Sequence, residues 1–378
     1  MKNILINGLS ALEGGSVLYL KNILAYVNKY SNLRVFILAS PRLREEILKI
    51  DGVNLIPCNW ATKSLFHRIL WLHYNLFKIL TDYNIDVIWF PDGLSHKKVL
   101  NKCKVVITLQ NLLPFDLKVR KRYPFSYMKV RFSLIKYLQS QSVKKADLII
   151  YVSNYMKSII DNLQISSKDN YIVIPHGLAD EFRSNTPKKI SSLAWMRAEY
   201  VLYVSRIHVY KNQIEIIEAW SYLKRIRKTN EKLILIGPYY HPYYKLVNKK
   251  IKSLGLQDDI IYVGEIKHEL LPIVYGNAKA HIWASSCESF GMILLEKMAS
   301  KKIVFASDTK FNREIAGETA VYFDPFQPEE LANLLSKYLD NDGFKRNMGE
   351  AAYKRTLLFD WKISANKTWR YLSNLAEC

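Results

Sequence analysis

The rhythm of the sequence constrains its fold more than any single residue does. Short runs rich in β-branched residues alternate with helix-length amphipathic segments, the pattern of parallel sheets covered by helices. In the first half the strand candidates are Asn3–Asn7, Arg34–Leu38, Val87–Phe90, Val105–Leu109, Leu148–Val152 and Tyr171–Pro175. Helical segments such as Ser16–Lys29 and Phe66–Leu80 fall between them. The second half repeats the rhythm with Tyr200–Ser205, Lys232–Ile236, Ile260–Val263, His281–Ala284, Ile303–Ser307 and Ala320–Phe323. Arg183–Ser192 (RSNTPKKISS) has no apolar period and reads as a linker. A chain of 378 residues is also too long for one ordinary core. The expectation is an α/β protein of two doubly wound, Rossmann-like domains: residues 1–182, a linker at 183–194, and residues 195–357. A helical stretch at 358–378 closes the chain.

Composition matters mainly through charge. The net charge is +21, and the excess is concentrated in the first half. Its densest stretch, Leu117–Lys145, holds Lys118, Arg120, Lys121, Arg122, Lys129, Arg131, Lys136, Lys144 and Lys145 with no acidic residue. Tyr123, Phe125, Tyr127, Phe132 and Tyr137 are interleaved with them, and Pro124 divides the stretch into two pieces. Such a segment suits an anionic membrane, an acidic ligand or nucleic acid; the alternative is a solvated basic face. The four cysteines are scattered, which argues against a disulfide framework or a zinc site and fits a reducing cytoplasm. The opening MKNILINGL turns polar too soon for a secretory signal, and no apolar run is long enough to span a bilayer.

In open parallel sheets, ligands bind beyond the carboxyl ends of the strands. After the first strand, Gly14 and Gly15 precede a helix and allow a backbone to approach a phosphate closely. This is not the GxGxxG fingerprint, and no acidic residue ends the second strand, so a dehydrogenase reading loses its support. The strongest signal is Ser285-Ser286-Cys287-Glu288-Ser289-Phe290-Gly291-Met292-Ile293-Leu294-Leu295-Glu296. It follows the strand HIWA and opens a helix. Glu288 lies in the turn, and Glu296 about one and a half turns beyond Gly291 at ~3.6 residues per turn. Both carboxylates can face one ligand at the helix mouth, with the small residues between them exposing N–H groups to it. Capping of the helix start is the structural alternative for Glu288.

The segment resembles the Glu-(seven residues)-Glu motif of the retaining glycosyltransferases of family four, which have the two-domain GT-B fold. VLYVSRIHVYKNQ is similar to the family's segment with a basic pair, and IPHGLADEF to its turn before the second domain. YVGEI and FASDTKFNREIAGETAVYFDP match in order and spacing. The resemblance implies a first domain that binds an acceptor, a second that binds a nucleoside-diphosphate sugar, and an active site in the cleft between them. It also implies a final helix packed back on the first domain. By the same resemblance Glu296 would bond the donor's ribose hydroxyls and Glu288 would sit at the sugar. Phe290 and Gly291 would supply backbone contacts, and Arg206 and Lys211 would clasp the diphosphate. Two fixed cations can stabilise that leaving group without a metal, so no cofactor is expected beyond the donor itself.

Asp340-Asn341-Asp342 fits an Asp-x-Asp metal pattern, but between two helical stretches it reads as a cap. Where the family often carries a histidine, this chain has Gln110, which can hydrogen-bond a sugar but cannot act as a general base; satisfying local backbone is its other role. The expected reaction is sugar transfer, with retention, to a hydroxyl of a glycan acceptor, lipid-linked or on a cell-surface polysaccharide. The protein would sit peripherally on the cytoplasmic face of an anionic membrane. The rival readings are a nucleotide-sugar epimerase and a non-catalytic nucleic-acid-binding protein. The latter leaves the Glu288/Glu296 pair unexplained and no nucleic-acid module is present, so nucleic acid is not an expected partner.

Overall fold

The structure is a computed structural model that describes all residues except 13, 59, 97–101, 124–126, 166–169, 184–192 and 378. The chain forms two compact units. Unit 1 comprises Met1–Leu117, Phe125–Gly177 and Phe359–Cys378, and unit 2 comprises Lys118–Pro124 and Leu178–Leu358.

In unit 1 the strands are β1 (Lys2–Gly8), β2 (Leu33–Ala39), β3 (Val53–Leu55), β4 (Val87–Phe90), β5 (Lys104–Leu109), β6 (Leu148–Tyr151) and β7 (Tyr171–Val173). They form one sheet in the order β3-β2-β1-β4-β5-β6-β7, every pair parallel. In unit 2, β8 (Tyr200–Val204), β9 (Lys232–Ile236), β10 (Ile260–Gly264), β11 (Ala280–Trp283), β12 (Val304–Ser307) and β13 (Val321–Phe323) pair in the order β10-β9-β8-β11-β12-β13. This sheet is parallel throughout as well. Central strands such as β4, β8 and β11 are buried at every residue, because helices cover both faces of a parallel sheet. Their continuous apolar runs (VIWF, YVLYV, AHIW) are the sequence expression of that burial.

Two differences from the sequence-level expectation have clear physical origins. The edge strand β3 is only VNL, half-exposed and with a polar centre, so it carries no strand signal. Residues 118–123 and 178–182 pack with unit 2 rather than with the first domain expected over 1–182. Arg122 and Tyr123 are anchored there by polar contacts described below. The expected linker lies almost wholly outside the described residues, as does Pro124. The last helix, Trp361–Glu377, belongs to unit 1, where Trp369 is fully buried and its Nε1 donates to the Ile23 carbonyl at 2.8 Å.

Candidate active site

Each strand order reverses once: beside β1 and β4 in unit 1, and beside β8 and β11 in unit 2. At such a switch point neighbouring crossovers run to opposite faces, which leaves a crevice at the carboxyl ends of the strands.

In unit 2 that crevice is bordered by the loop after β8 and the turn after β11. The β8 loop runs through Arg206, whose side chain is exposed, to Lys211, which is buried. Three ties fix its course. The Tyr203 hydroxyl donates to the Lys211 carbonyl at 2.5 Å, the Asn212 amide donates to the Ala284 carbonyl at 2.5 Å, and the Ser286 N–H donates to the Tyr210 carbonyl at 2.8 Å. The last two bind the β8 loop to the β11 turn. Asn212 adopts a left-handed conformation (φ 57°) as it starts the helix Gln213–Ile226, one that asparagine tolerates better than most residues.

The turn after β11 brings Glu288 to Lys211. The two form an ion pair, and Glu288 Oε1 also accepts from the Ser285 hydroxyl at 2.6 Å. Lys211 Nζ lies 4.4 Å from the Trp283 ring centroid, within cation–π range. Gly291 ends the turn at φ 89°, a conformation that favours glycine, and starts the helix Met292–Ala299. Phe290 is buried, while Ser289 beside it is half-exposed.

Glu296 is buried in the second turn of that helix and accepts from the Tyr275 hydroxyl at 3.0 Å. Burial pushes its carboxyl up to about 7, against weaker opposing pulls from the Tyr275 hydrogen bond and Lys297. The sequence had not singled out Lys297, which is fully buried. Its Nζ donates to the Val204 carbonyl at 2.9 Å and lies 4.7 Å from the Trp283 centroid. Burial holds its ammonium well below the ordinary lysine value. The Trp283 ring thus meets two lysines, and its Nε1 donates to Asn312 Oδ1 at 3.0 Å. His208 is also buried, which drives its imidazole down to about 4, with Arg206 and Lys211 adding to the effect.

In unit 1, Gly14 and Gly15 begin the helix Gly15–Leu24 after β1, with no side-chain cap and open space where a Gly14 Cβ would point. Gln110 follows β5, and its amide donates to the Pro91 carbonyl at 2.9 Å. Asp92, after β4, was not legible as a candidate. Burial raises its carboxyl above the usual range against a hydrogen bond from Ser10 and the Leu94 N–H at 3.1 Å. Asp340-Asn341-Asp342 is occupied structurally. Asn341 caps the helix Asp342–Thr356 through the Phe344 N–H at 3.0 Å, and Asp340 pairs with Arg227 and Lys279. Among the described residues no three His, Cys, Asp or Glu side chains gather as metal ligands.

The sequence profile described as Glycosyl transferases group 1 matches residues 185–355, and the one described as Glycosyltransferase Family 4 matches residues 14–182. The chain belongs to glycosyltransferase family 4. The family-4 chain is 22% identical over 244 residues to the O-antigen chain mannosyltransferase B of Escherichia coli, covering 62% of this chain and 63% of that protein. It is 23% identical over 235 residues to the alpha-D-kanosaminyltransferase of Streptomyces kanamyceticus, covering 60% of each. The match therefore spans about three fifths of these relatives' length. Among solved structures, Anabaena HepE in complex with UDP and glucose superposes with a TM-score of 0.74 at 18% identity, covering 99% of this chain and 100% of that one. Sucrose-phosphate synthase from Thermosynechococcus elongatus gives 0.76 at 17% identity, covering 99% of each chain. The likeness establishes the GT-B fold.

Proposed function

We propose that the protein transfers a sugar from a nucleoside-diphosphate sugar to a hydroxyl of a glycan acceptor, with retention and without a metal. The observation that carries this reading is the arrangement at the carboxyl ends of β8 and β11: Arg206, the Lys211–Glu288 pair and Glu296. Breaking the donor's anomeric bond builds charge on the leaving diphosphate, and Arg206 and Lys211 supply two cations to stabilise it. Lys211 is already held by Glu288, so the diphosphate would share an ammonium whose position is set beforehand. Glu296 is the acceptor for ribose hydroxyls, Glu288 the carboxylate at the sugar, and Ser289, Phe290 and Gly291 the source of backbone contacts. Gly14 and Gly15, at the start of the helix after β1, and Gln110, after β5, are the substrate-binding candidates of unit 1 itself. Retention fits a reaction in which the leaving phosphate takes the acceptor's proton, since the amide of Gln110 cannot.

A lipid-linked or cell-surface glycan is the proposed acceptor; mannosyltransferases of O-antigen chains among the similar proteins favour that class. The proposed partner surface is an anionic membrane. Among the described residues no helix is long and apolar enough to cross a membrane. In the helix Tyr127–Lys145, however, Tyr127, Val130, Leu134, Tyr137 and Leu138 are exposed at helical spacing, opposite the buried Phe132, Gln139 and Val143. Arg131, Lys144 and Lys145 are exposed along the same helix. An apolar stripe flanked by cations suits the interface of an anionic bilayer. The surface proposed here excludes Arg122 and Tyr123, which are engaged within unit 2.

The test is the anomeric configuration of the product, read by NMR with and without EDTA. The donor's configuration should be kept and the rate unchanged by chelation. An inverted product, or activity lost in EDTA and restored by manganese or magnesium, would overturn the mechanism.

A further inference from the structure

Two consecutive residues from the cation-rich run grip both ends of the loop that carries Lys211. Arg122 reaches Asn212 through Nη1, donating to Oδ1 at 2.5 Å, and Glu215 through Nη2, donating to Oε1 at 2.7 Å. The Tyr123 hydroxyl lies 2.7 Å from His208 Nδ1, and Tyr123 is itself buried. His208 and Asn212 bracket Val209–Lys211, the single 3-10 turn that ends in Lys211. The guanidinium also packs 5.0 Å from the Phe326 ring centroid, which restricts its rotamers.

We propose that Arg122 and Tyr123 are positioning residues for diphosphate binding: they hold the loop from His208 to Asn212 in the shape that aims Lys211. The inference rests on the assignment of Lys211 to the diphosphate. Asn212 is the pivot. Its backbone is left-handed, and its side chain joins Arg122 on one side to the Ala284 carbonyl, before the Glu288 turn, on the other. Glu215 shows what Arg122 compensates: among the described residues its Oε2 is buried without a hydrogen-bond partner, and burial raises its carboxyl above the usual range despite Arg122. Removing the guanidinium leaves that carboxyl uncompensated and Asn212 with one tie instead of two.

Arg122→Ala and Tyr123→Phe should weaken UDP or GDP binding by about tenfold while leaving uridine or guanosine binding unchanged, because only the phosphates meet Lys211. Arg122→Lys keeps a cation near Glu215 but has no fork to hold Asn212 as well, so it should fold and still lose most of the diphosphate preference. In a Lys211→Ala background, Arg122→Lys should have almost no further effect. A merely structural loss would weaken nucleoside and nucleoside diphosphate alike, and that result overturns the proposal. So does wild-type diphosphate affinity in Arg122→Lys. If the wild-type chain binds neither UDP nor GDP, while the unit-2 fold is intact by circular dichroism, the reading of the site falls and takes this inference with it.

Discussion

The ammonium of Lys211 is held between the Glu288 carboxylate and the face of Trp283, so the central cation of the site is fixed before any ligand arrives. Such preorganisation removes an ordering cost at the moment of binding. It also makes the two charges depend on each other.

Glu288 should therefore respond differently to two substitutions. Glu288→Gln removes the counter-charge but keeps an acceptor for Lys211 and Ser285, and should lower turnover on the order of a hundredfold with a smaller loss of stability than Glu288→Ala. Glu288→Ala leaves a buried lysine uncompensated and should in addition destabilise the fold by about 3 kcal/mol. Single-turnover kinetics and denaturant titration separate the two effects. Equal stability losses in both variants would mean that the pair does not carry the loop.

Glu296 predicts a pH dependence whose sign is opposite to that of an ordinary salt-bridged carboxylate. Its folded value of about 7 lies above the unfolded 4.5, so between these values the folded chain retains a proton that the unfolded chain has released. Stability from this group is complete below about 4.5 and is lost as pH rises through 7, by about 3 kcal/mol at most. Glu296→Gln should flatten that fall. Donor binding should run the other way, weakening below pH 7, because ribose hydroxyls need the charged acceptor. Unfolding curves from pH 4.5 to 8.5 for both proteins test the first claim, and parallel slopes would refute it.

The membrane surface gives a third expectation. Replacing Lys129, Arg131, Lys136 and Lys144 together with glutamine should abolish flotation with phosphatidylglycerol vesicles at low salt and leave nucleotide binding intact. Each cation near such a surface contributes on the order of 1 kcal/mol, screened within a Debye length. If the wild-type protein ignores these vesicles at low ionic strength, the surface has another role.

Twelve of the strands read from apolar runs coincide with observed strands to within a residue or two, because burial on both faces imposes a continuous signal. β3 escaped because three residues, two half-exposed about an exposed Asn54, are too few to carry a period. The turn Ser285–Gly291 was legible for a different reason: small residues, a glycine at positive φ and two carboxylates are a local pattern. Lys297 was not legible. In the run MILLEKMA nothing marks which residue faces the sheet, and a lysine in a helix ordinarily faces solvent. Arg122 was read as one cation among nine, since its partners Asn212 and Glu215 lie some ninety residues away and no local pattern announces them.

The central claim is that a nucleoside-diphosphate sugar is held at the carboxyl ends of β8 and β11. Thermal unfolding with UDP-glucose, GDP-mannose and ADP-glucose, on the wild-type chain and on Glu296→Ala, tests it most directly. At a hundred times its dissociation constant one of these donors should stabilise the wild-type protein by about 2.7 kcal/mol, and the shift should be largely lost in Glu296→Ala. No stabilisation by any of the three, or an equal shift in both proteins, would contradict the account.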